Sequence, residues 1–295
     1  MPAIQFETAD VFTDRRFGGN PLAVFIGAEV VDDATMQALA AEMNYSETTF
    51  VLRPESAGNS ARVRIFNRKH EMPFAGHPTI GTAFVMARMG MIEGDIAKLE
   101  IPAGIAKVTL WRDEQGNPTG GTVEAPQPMT TGMEVPTRCI AECLQINAGD
   151  IVTTTHSPIL ATCSNPYIFA EIEHGALAGC TPDLAAFHRA ANDNPELNGR
   201  FSLFVYARDD RAIWARMFAP LAGTWEDPAT GSANAPLAGL LLDRLGGEEI
   251  DFTVHQGLEM GRPSFIASRA WRDGPHIRTS VSGSCVPILS GQFEL

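Results

Sequence analysis

Hydrophobic and polar positions alternate in short runs at the start of the chain. Ile4 to Thr8 and Leu22 to Ile26 read as strands, and the stretch between them, Thr13-Asp14-Arg15-Arg16-Phe17-Gly18-Gly19-Asn20-Pro21, is dense in turn formers. Asp33 then stands where a helix cap belongs, because Met36, Leu39, Ala40 and Met43 follow at i, i+3, i+4, i+7 spacing. After Asn44 the β-branched and aromatic residues of Glu47-Thr48-Thr49-Phe50-Val51 predict a return to strand, with Glu47 at the passage. Val63 to Phe66 is a further strand. Gly76-His77-Pro78-Thr79 opens a helix over Ile80 to Ala87 that is small and uncharged on every side until Arg88, as a helix wrapped by sheet would be.

The second half repeats this plan. Asn20-Pro21 returns as Asn165-Pro166 before Tyr167-Ile168-Phe169-Ala170, and Arg64-Ile65-Phe66 returns as Arg216-Met217-Phe218. Glu71, Pro73, Gly76 and Ala83 recur at the same mutual offsets as Glu226, Pro228, Gly231 and Ala238, ahead of a second small, apolar helix over Asn234 to Leu242. The pattern predicts an α+β fold of two pseudo-symmetric lobes, each a mixed or antiparallel β-sheet around a central apolar helix, rather than a doubly wound parallel sheet. The lobes are expected at 1–118 plus 279–295 and at 119–278, with C-terminal strands over Thr279 to Ile288 and Gln292 to Leu295 returning to the first. A pseudo-twofold relation would point both glycine turns at one cleft.

A length of 295 residues agrees with two domains. The net charge of −13 repels phosphate backbones and anionic membrane surfaces, and no basic stripe with interleaved aromatics offsets it, so nucleic acid is not an expected partner. The longest apolar runs, Leu22 to Ile26 and Leu237 to Leu242, fall far short of the roughly 20 residues that span a bilayer. Five cysteines, Cys139, Cys143, Cys163, Cys180 and Cys285, form no CxxC pair, and no signal-like segment precedes the first strand; a reducing cytoplasm is the expected compartment. Cys139 and Cys143, four apart, read as core thiols of a helix.

The candidate chemistry begins at the two helix starts. Unsatisfied N–H groups in a helix's first turn, aided by the helix dipole, favour an anion where the residues are small. Gly76-His77-Pro78-Thr79 and Thr230-Gly231-Ser232-Ala233-Asn234 both qualify, with the Thr79 and Ser232 hydroxyls as further donors to a small carboxylate-bearing substrate. Glu47, set among Tyr45, Thr48, Thr49 and Phe50, is either a half-buried acid/base residue or a solvated turn carboxylate. Asp227 is a second acidic candidate or the initiator of an Asp-Pro turn. His77 is a donor to substrate, a general acid or a turn residue. The histidines form no HxxxH or HxH pair, and no GxSxG, GxGxxG or GxxxxGK[ST] motif is present, so metal, dinucleotide, nucleotide and serine-hydrolase readings lack support.

Five ordered motifs then give the chain a resemblance. Phe17-Gly18-Gly19-Asn20-Pro21-Leu22-Ala23-Val24, Asn44-Tyr45-Ser46-Glu47-Thr48, Pro73-Phe74-Ala75-Gly76-His77-Pro78-Thr79, Glu226-Asp227-Pro228-Ala229-Thr230-Gly231-Ser232 and Gln256-Gly257-Leu258-Glu259-Met260-Gly261-Arg262-Pro263 resemble the PhzF-like phenazine biosynthesis isomerases, relatives of diaminopimelate epimerase and proline racemase. The resemblance implies a diaminopimelate-epimerase-like fold, an active site between the lobes, no cofactor and a homodimer. It places the catalytic glutamate on Glu47 and supporting residues on Gly76, His77, Asp227, Gly231 and Ser232. The phenazine enzyme moves a proton between ring carbons of trans-2,3-dihydro-3-hydroxyanthranilate, which makes that compound, or a related hydroxy or amino acid, the expected substrate. Racemases of this kind carry a cysteine in each glycine turn, whereas Phe74-Ala75-Gly76 and Ala229-Thr230-Gly231 contain none, so same-face proton transfer by Glu47 is favoured. The alternatives are racemisation or epimerisation with Glu47 and Asp227 as opposed bases, and a non-catalytic metabolite-binding protein.

Overall fold

The computed structural model describes residues 3–209 and 212–294, so Leu295, the last residue of the expected C-terminal strand, lies outside the described residues. The chain forms two compact units, Met1–Pro126 with Ser280–Leu295, and Gln127–Thr279.

In the first unit β1 (Ala3–Val11), β2 (Asn20–Ile26), α1 (Asp33–Met43), β3 (Glu47–Leu52), β4 (Ala61–Asn67) and β5 (Glu71–Met72) precede α2 (Gly76–Arg88). The hairpin strands β6 (Ile96–Ile101), β7 (Gly104–Arg112) and β8 (Pro118–Glu124) follow. The second unit opens with β9 (Thr130–Glu134), α3 (Thr137–Leu144), β10 (Ile151–Val152), β11 (Ile159–Thr162), β12 (Tyr167–Ile172), α4 (His174–Leu177) and α5 (Leu184–Asp193). It continues through β13 (Leu203–Arg208), β14 (Ala212–Ala219), β15 (Thr224–Asp227), α6 (Gly231–Leu245), β16 (Glu249–Gln256) and β17 (Ser264–Asp273). The long β18 (His276–Glu294) starts in the second unit and ends in the first.

Strand pairing repeats in the two units. β2–β3 is parallel, β3–β4 and β4–β5 antiparallel, β4–β6 parallel and β6–β7 antiparallel. β12–β13, β13–β14, β14–β15, β14–β16 and β16–β17 follow the same sequence of senses. In the first unit β18 joins β8 through Ser280 to Ser284 and β1 through Cys285 to Glu294, so the pairings close into a circuit. α2 packs against β1, β2, β3, β6, β7 and β8 and is buried from Gly76 to Ala87. Gly81 permits that close fit, since a Cβ there would lie 2.6 Å from Leu22 Cδ2 and 2.7 Å from Val11 Cγ2. α6, buried from Gly231 to Leu242, takes the same place against β11, β16 and β17. The α+β expectation of two like lobes, each with an apolar helix inside its sheet, is therefore met.

The repeated motifs acquire a physical reason. Arg64 on β4 grips Glu71 on β5 through Nε–Oε1 and NH2–Oε2 contacts of 2.8 and 2.7 Å, and its guanidinium lies 5.0 Å from the Phe66 ring centre. Arg216 holds Glu226 at 2.8 and 2.9 Å and lies 4.9 Å from the Phe218 ring centre. Two local readings need correction. The cap of α1 is Asp32, whose carboxylate accepts the Thr35 N–H at 2.7 Å, while Asp33 is the first helical residue and binds Arg64. The two expected C-terminal strands are one: next to Pro287, which has no N–H to give, β18 bulges at Ile288 opposite Thr8 and Ala9 of β1, and the Leu289 N–H bonds to the Thr8 hydroxyl.

Outside its enclosing sheet each unit has a second layer. Phe25, Phe50 and Phe66 pack with Met36, Leu39 and Ala40 of α1. In the second unit Ile168, Ala170 and Ile172 of β12 pack with Cys143 of α3 and Phe187 of α5, leaving Tyr167, Phe169 and Glu171 on the opposite strand face. No helix among the described residues is long and apolar enough to cross a membrane.

Candidate active site

Glu47 is the first residue of β3, flanked by Leu22 of β2 and Asn67 of β4. Residues two apart share a strand face, and Thr49 touches Thr82 of α2 at 2.8 Å between hydroxyls, so Glu47 also faces the helix. Its carboxylate oxygen Oε2 lies 3.3 Å from Nε2 of His77, the second residue of α2, with side chains 15% and 4% exposed respectively. Burial pushes the His77 pKa down from 6.5 to about 3, so the ring is neutral at ordinary pH and the contact is not an ion pair. Nor is it an aligned hydrogen bond: Nε2 is buried and has no hydrogen-bond partner among the described residues. A carboxylate and an unengaged imidazole nitrogen thus sit together at a helix start, an arrangement that can exchange a proton with, or donate a hydrogen bond to, a third molecule.

The Gly76 and His77 N–H groups have no intrahelical acceptor, and Pro78 has no N–H at all. Thr79 differs from its expected role. Its N–H and its hydroxyl both go to the Ala75 carbonyl, at 3.2 and 2.7 Å, and the side chain is wholly buried, so it braces the helix start and has no proton left for a ligand.

The second unit's helix start is more heavily cross-linked. Asp227 ends β15, nearly buried, and its Oδ2 accepts the Thr230 hydroxyl at 2.7 Å. Gln256 donates to the Asp227 carbonyl at 2.8 Å and to Thr230 Oγ1 at 3.0 Å, while its Oε1 accepts the Thr230 N–H. Gly231 and Ser232 are the first two residues of α6, and Ser232 Oγ lies 2.7 Å from the Tyr167 hydroxyl. Tyr167 and Gln256 were not singled out as site residues by sequence reasoning. The only signals available were Tyr167 following the repeated Asn-Pro and Gln256 opening the last motif. Among the described residues no group of three or more His, Cys, Asp or Glu side chains is placed to hold a metal ion.

The repeat makes the two helix starts comparable. With Asn20-Pro21 set on Asn165-Pro166, the Ala23–Thr48 and Ile168–Leu203 pairings put Ser202 at the position of Glu47. His77 corresponds to Ser232 in the same way, from the matched Gly76 and Gly231. The first unit therefore carries a carboxylate–imidazole pair where the second carries hydroxyls.

Comparison with known proteins agrees with this architecture. The chain is 34% identical over 297 residues to the trans-2,3-dihydro-3-hydroxyanthranilate isomerase of Pseudomonas aeruginosa, covering 99% of each chain. The crystal structure of a PhzF-family phenazine biosynthesis protein from Bacillus anthracis superposes with TM-score 0.86 at 20% identity, over 100% of both chains. A probable proline racemase from Agrobacterium radiobacter shares the fold at TM-score 0.68 and 14% identity, covering 99% of this chain and 93% of that one. The family model for phenazine biosynthesis-like proteins, PhzC-PhzF, matches residues 9–291, and the chain belongs to that family of isomerases.

Proposed function

We infer that the protein is a cofactor-independent isomerase that moves a proton on one face of a small carboxylate-bearing substrate, with Glu47 as the base that takes and returns it. The observation that carries this reading is the Glu47 carboxylate 3.3 Å from the buried, unengaged Nε2 of His77. His77, neutral, donates to the oxygen on which charge develops as Glu47 removes the proton, and the N–H groups of Gly76 and His77 add to that stabilisation. Asp227, Gly231 and Ser232 are assigned to substrate binding, which the motif resemblance supports. For Asp227 the hydrogen bond from Thr230 favours a positioning role over a second base.

The substrate is trans-2,3-dihydro-3-hydroxyanthranilate or a related hydroxy or amino acid, a reading supported by the 34% identical relative of that activity. Five free thiols and the family resemblance support a cytoplasmic homodimer. The fold is shared with racemases, but a serine at the Glu47-equivalent position favours one base over two.

Incubation with trans-2,3-dihydro-3-hydroxyanthranilate, and with single enantiomers of hydroxy and amino acids, separates the outcomes. A shifted double bond in the product, with no inversion of the single-enantiomer substrates, is expected. Inversion at one carbon without a bond shift would replace this reading with racemisation.

A further inference from the structure

The start of α6 carries more hydrogen bonding than a helix start needs. Thr230 is the residue just before the helix, where a threonine hydroxyl ordinarily accepts an N–H of the first turn. It makes no such bond. Its hydroxyl goes instead to Oδ2 of Asp227, at 2.7 Å. The helix forgoes a side-chain cap, and the hydroxyl serves Asp227.

The direction of that bond is set by Gln256, wholly buried at the end of β16. The Asp227 carbonyl can only accept and the Thr230 N–H can only donate, so their contacts of 2.8 and 3.1 Å with Gln256 fix which way round the amide lies. Nε2 then gives its second proton to Thr230 Oγ1 at 3.0 Å. A hydroxyl oxygen that accepts from an amide donates its own single proton elsewhere, here to the Asp227 carboxylate. Asn234 Nδ2, 3.3 Å from Oε1, completes the amide's partners. The result is a one-way chain of donors through three buried residues, from Gln256 to Thr230 to Asp227.

The first unit shows that the fold does not require this chain. The offset that sets Gly76 on Gly231 sets Met72, Ala75 and Ile101 on Asp227, Thr230 and Gln256. Strand register agrees, with Leu99 opposite Ala61 as Val254 is opposite Ile213. α2 is buried along its length as α6 is, yet Ala75 precedes it and no amide or hydroxyl stands in those places. Burying polar side chains costs stability unless each is engaged, so three of them where the repeat has apolar residues point to a use beyond folding.

We propose that Gln256 is a positioning residue of the substrate site: acting through the Thr230 hydroxyl, it holds the Asp227 carboxylate in one place as a hydrogen-bond acceptor for the substrate. The proposal rests on the assignment of Asp227 to substrate binding. Gln256 has no exposed surface to offer a substrate, so its effect passes through Thr230. A carboxylate fixed beforehand meets an N–H or O–H donor without first being ordered, and the gain falls on binding.

Thr230→Val and Gln256→Glu break the chain at different links. The first keeps the side chain's shape and removes the hydroxyl; the second keeps Oε1 and removes both donated protons. In turnover of trans-2,3-dihydro-3-hydroxyanthranilate each should raise KM about tenfold and leave kcat within about twofold, as lost uniform binding does. Thr230→Ser should restore KM, and the double variant should be no worse than either single one. If Gln256→Glu does not fold, Gln256→Ile, which installs the first unit's residue, takes its place. Lower stability in urea with unchanged KM would make Gln256 structural and overturn the proposal. KM losses that add in the double variant, or a Thr230→Ser variant that stays impaired, would do the same. Crystal structures of the wild type and both single variants decide the point without turnover. An Asp227 carboxylate turned from its wild-type place in both would leave the proposal standing even if the wild type converts no substrate, a result that removes the proton-transfer reading alone. A carboxylate unmoved in either variant would overturn the proposal and leave proton transfer by Glu47 untouched.

Discussion

At the scale of single residues, His77 has a consequence for stability that does not depend on the substrate. In the unfolded chain its imidazole takes a proton below about pH 6.5, whereas the folded protein, with a pKa of about 3, does not. Between these values the unfolded state binds more protons, so this contribution is whole above the window and is lost as pH falls through it. His77→Gln should therefore flatten the fall in unfolding free energy over that window, measured by urea denaturation at a series of pH values. Burial also lowers the His156 pKa, so some slope should remain. A wild-type slope in His77→Gln would contradict the buried, neutral assignment. Glu47 and His77 could both be named from the sequence because each lies within a run whose type changes. The engagement of Thr79 could not, since it depends on the Ala75 carbonyl turning toward the hydroxyl in the first helical turn. The Tyr167–Ser232 contact joins residues far apart in the chain and left no local trace.

At the scale of elements, the two Arg–Glu clasps differ in surroundings and should differ in worth. Arg216 and Glu226 have side chains 9% and 11% exposed, and NH1 of Arg216 also donates to the Leu177 and Cys180 carbonyls. Arg64 and Glu71 are more open, at 20% and 33%. Removing one partner of a buried pair strands a charge, so Arg216→Met should cost about 3–5 kcal/mol in a denaturation experiment. The corresponding Arg64→Met should cost roughly 1 kcal/mol, because water can reach the carboxylates left behind. Equal losses would mean that burial does not set the difference. The Arg-x-Phe and Glu-x-Pro repeats were legible as repeats from their spacing, but their pairing with each other was not. The spacing differs between the halves, with Glu71 seven residues after Arg64 and Glu226 ten after Arg216, so only the strand register brings the partners together. The single β18 was missed for a similar reason: Pro287 reads locally as a strand breaker, and only the pairing with β1, with β18 bulged at Ile288, accommodates it.

At the scale of the whole chain, one supersecondary plan is used twice and the chemistry is not. Both halves keep the parallel and antiparallel order of their strands, the enclosed apolar helix and the arginine clasp. The carboxylate–imidazole pair of Glu47 and His77 belongs to the first half, and Ser202 and Ser232 stand at the matching positions of the second. Fold class and duplication were readable because both rest on periodicity and punctuation, which a sequence states directly. Reaction type was readable only through the resemblance, since the residues alone left Glu47 open between base and turn carboxylate. The central claim is that Glu47 takes and returns one proton, and the fate of that proton tests it most directly. Turnover of trans-2,3-dihydro-3-hydroxyanthranilate in deuterium oxide should give product with less than one deuterium at the new C–H position. Glu47→Gln should slow the reaction about 10²–10⁴-fold while ligand affinity holds, because glutamine keeps the shape and cannot take the proton. Full catalytic rate in Glu47→Gln would contradict the account and move the base to another residue.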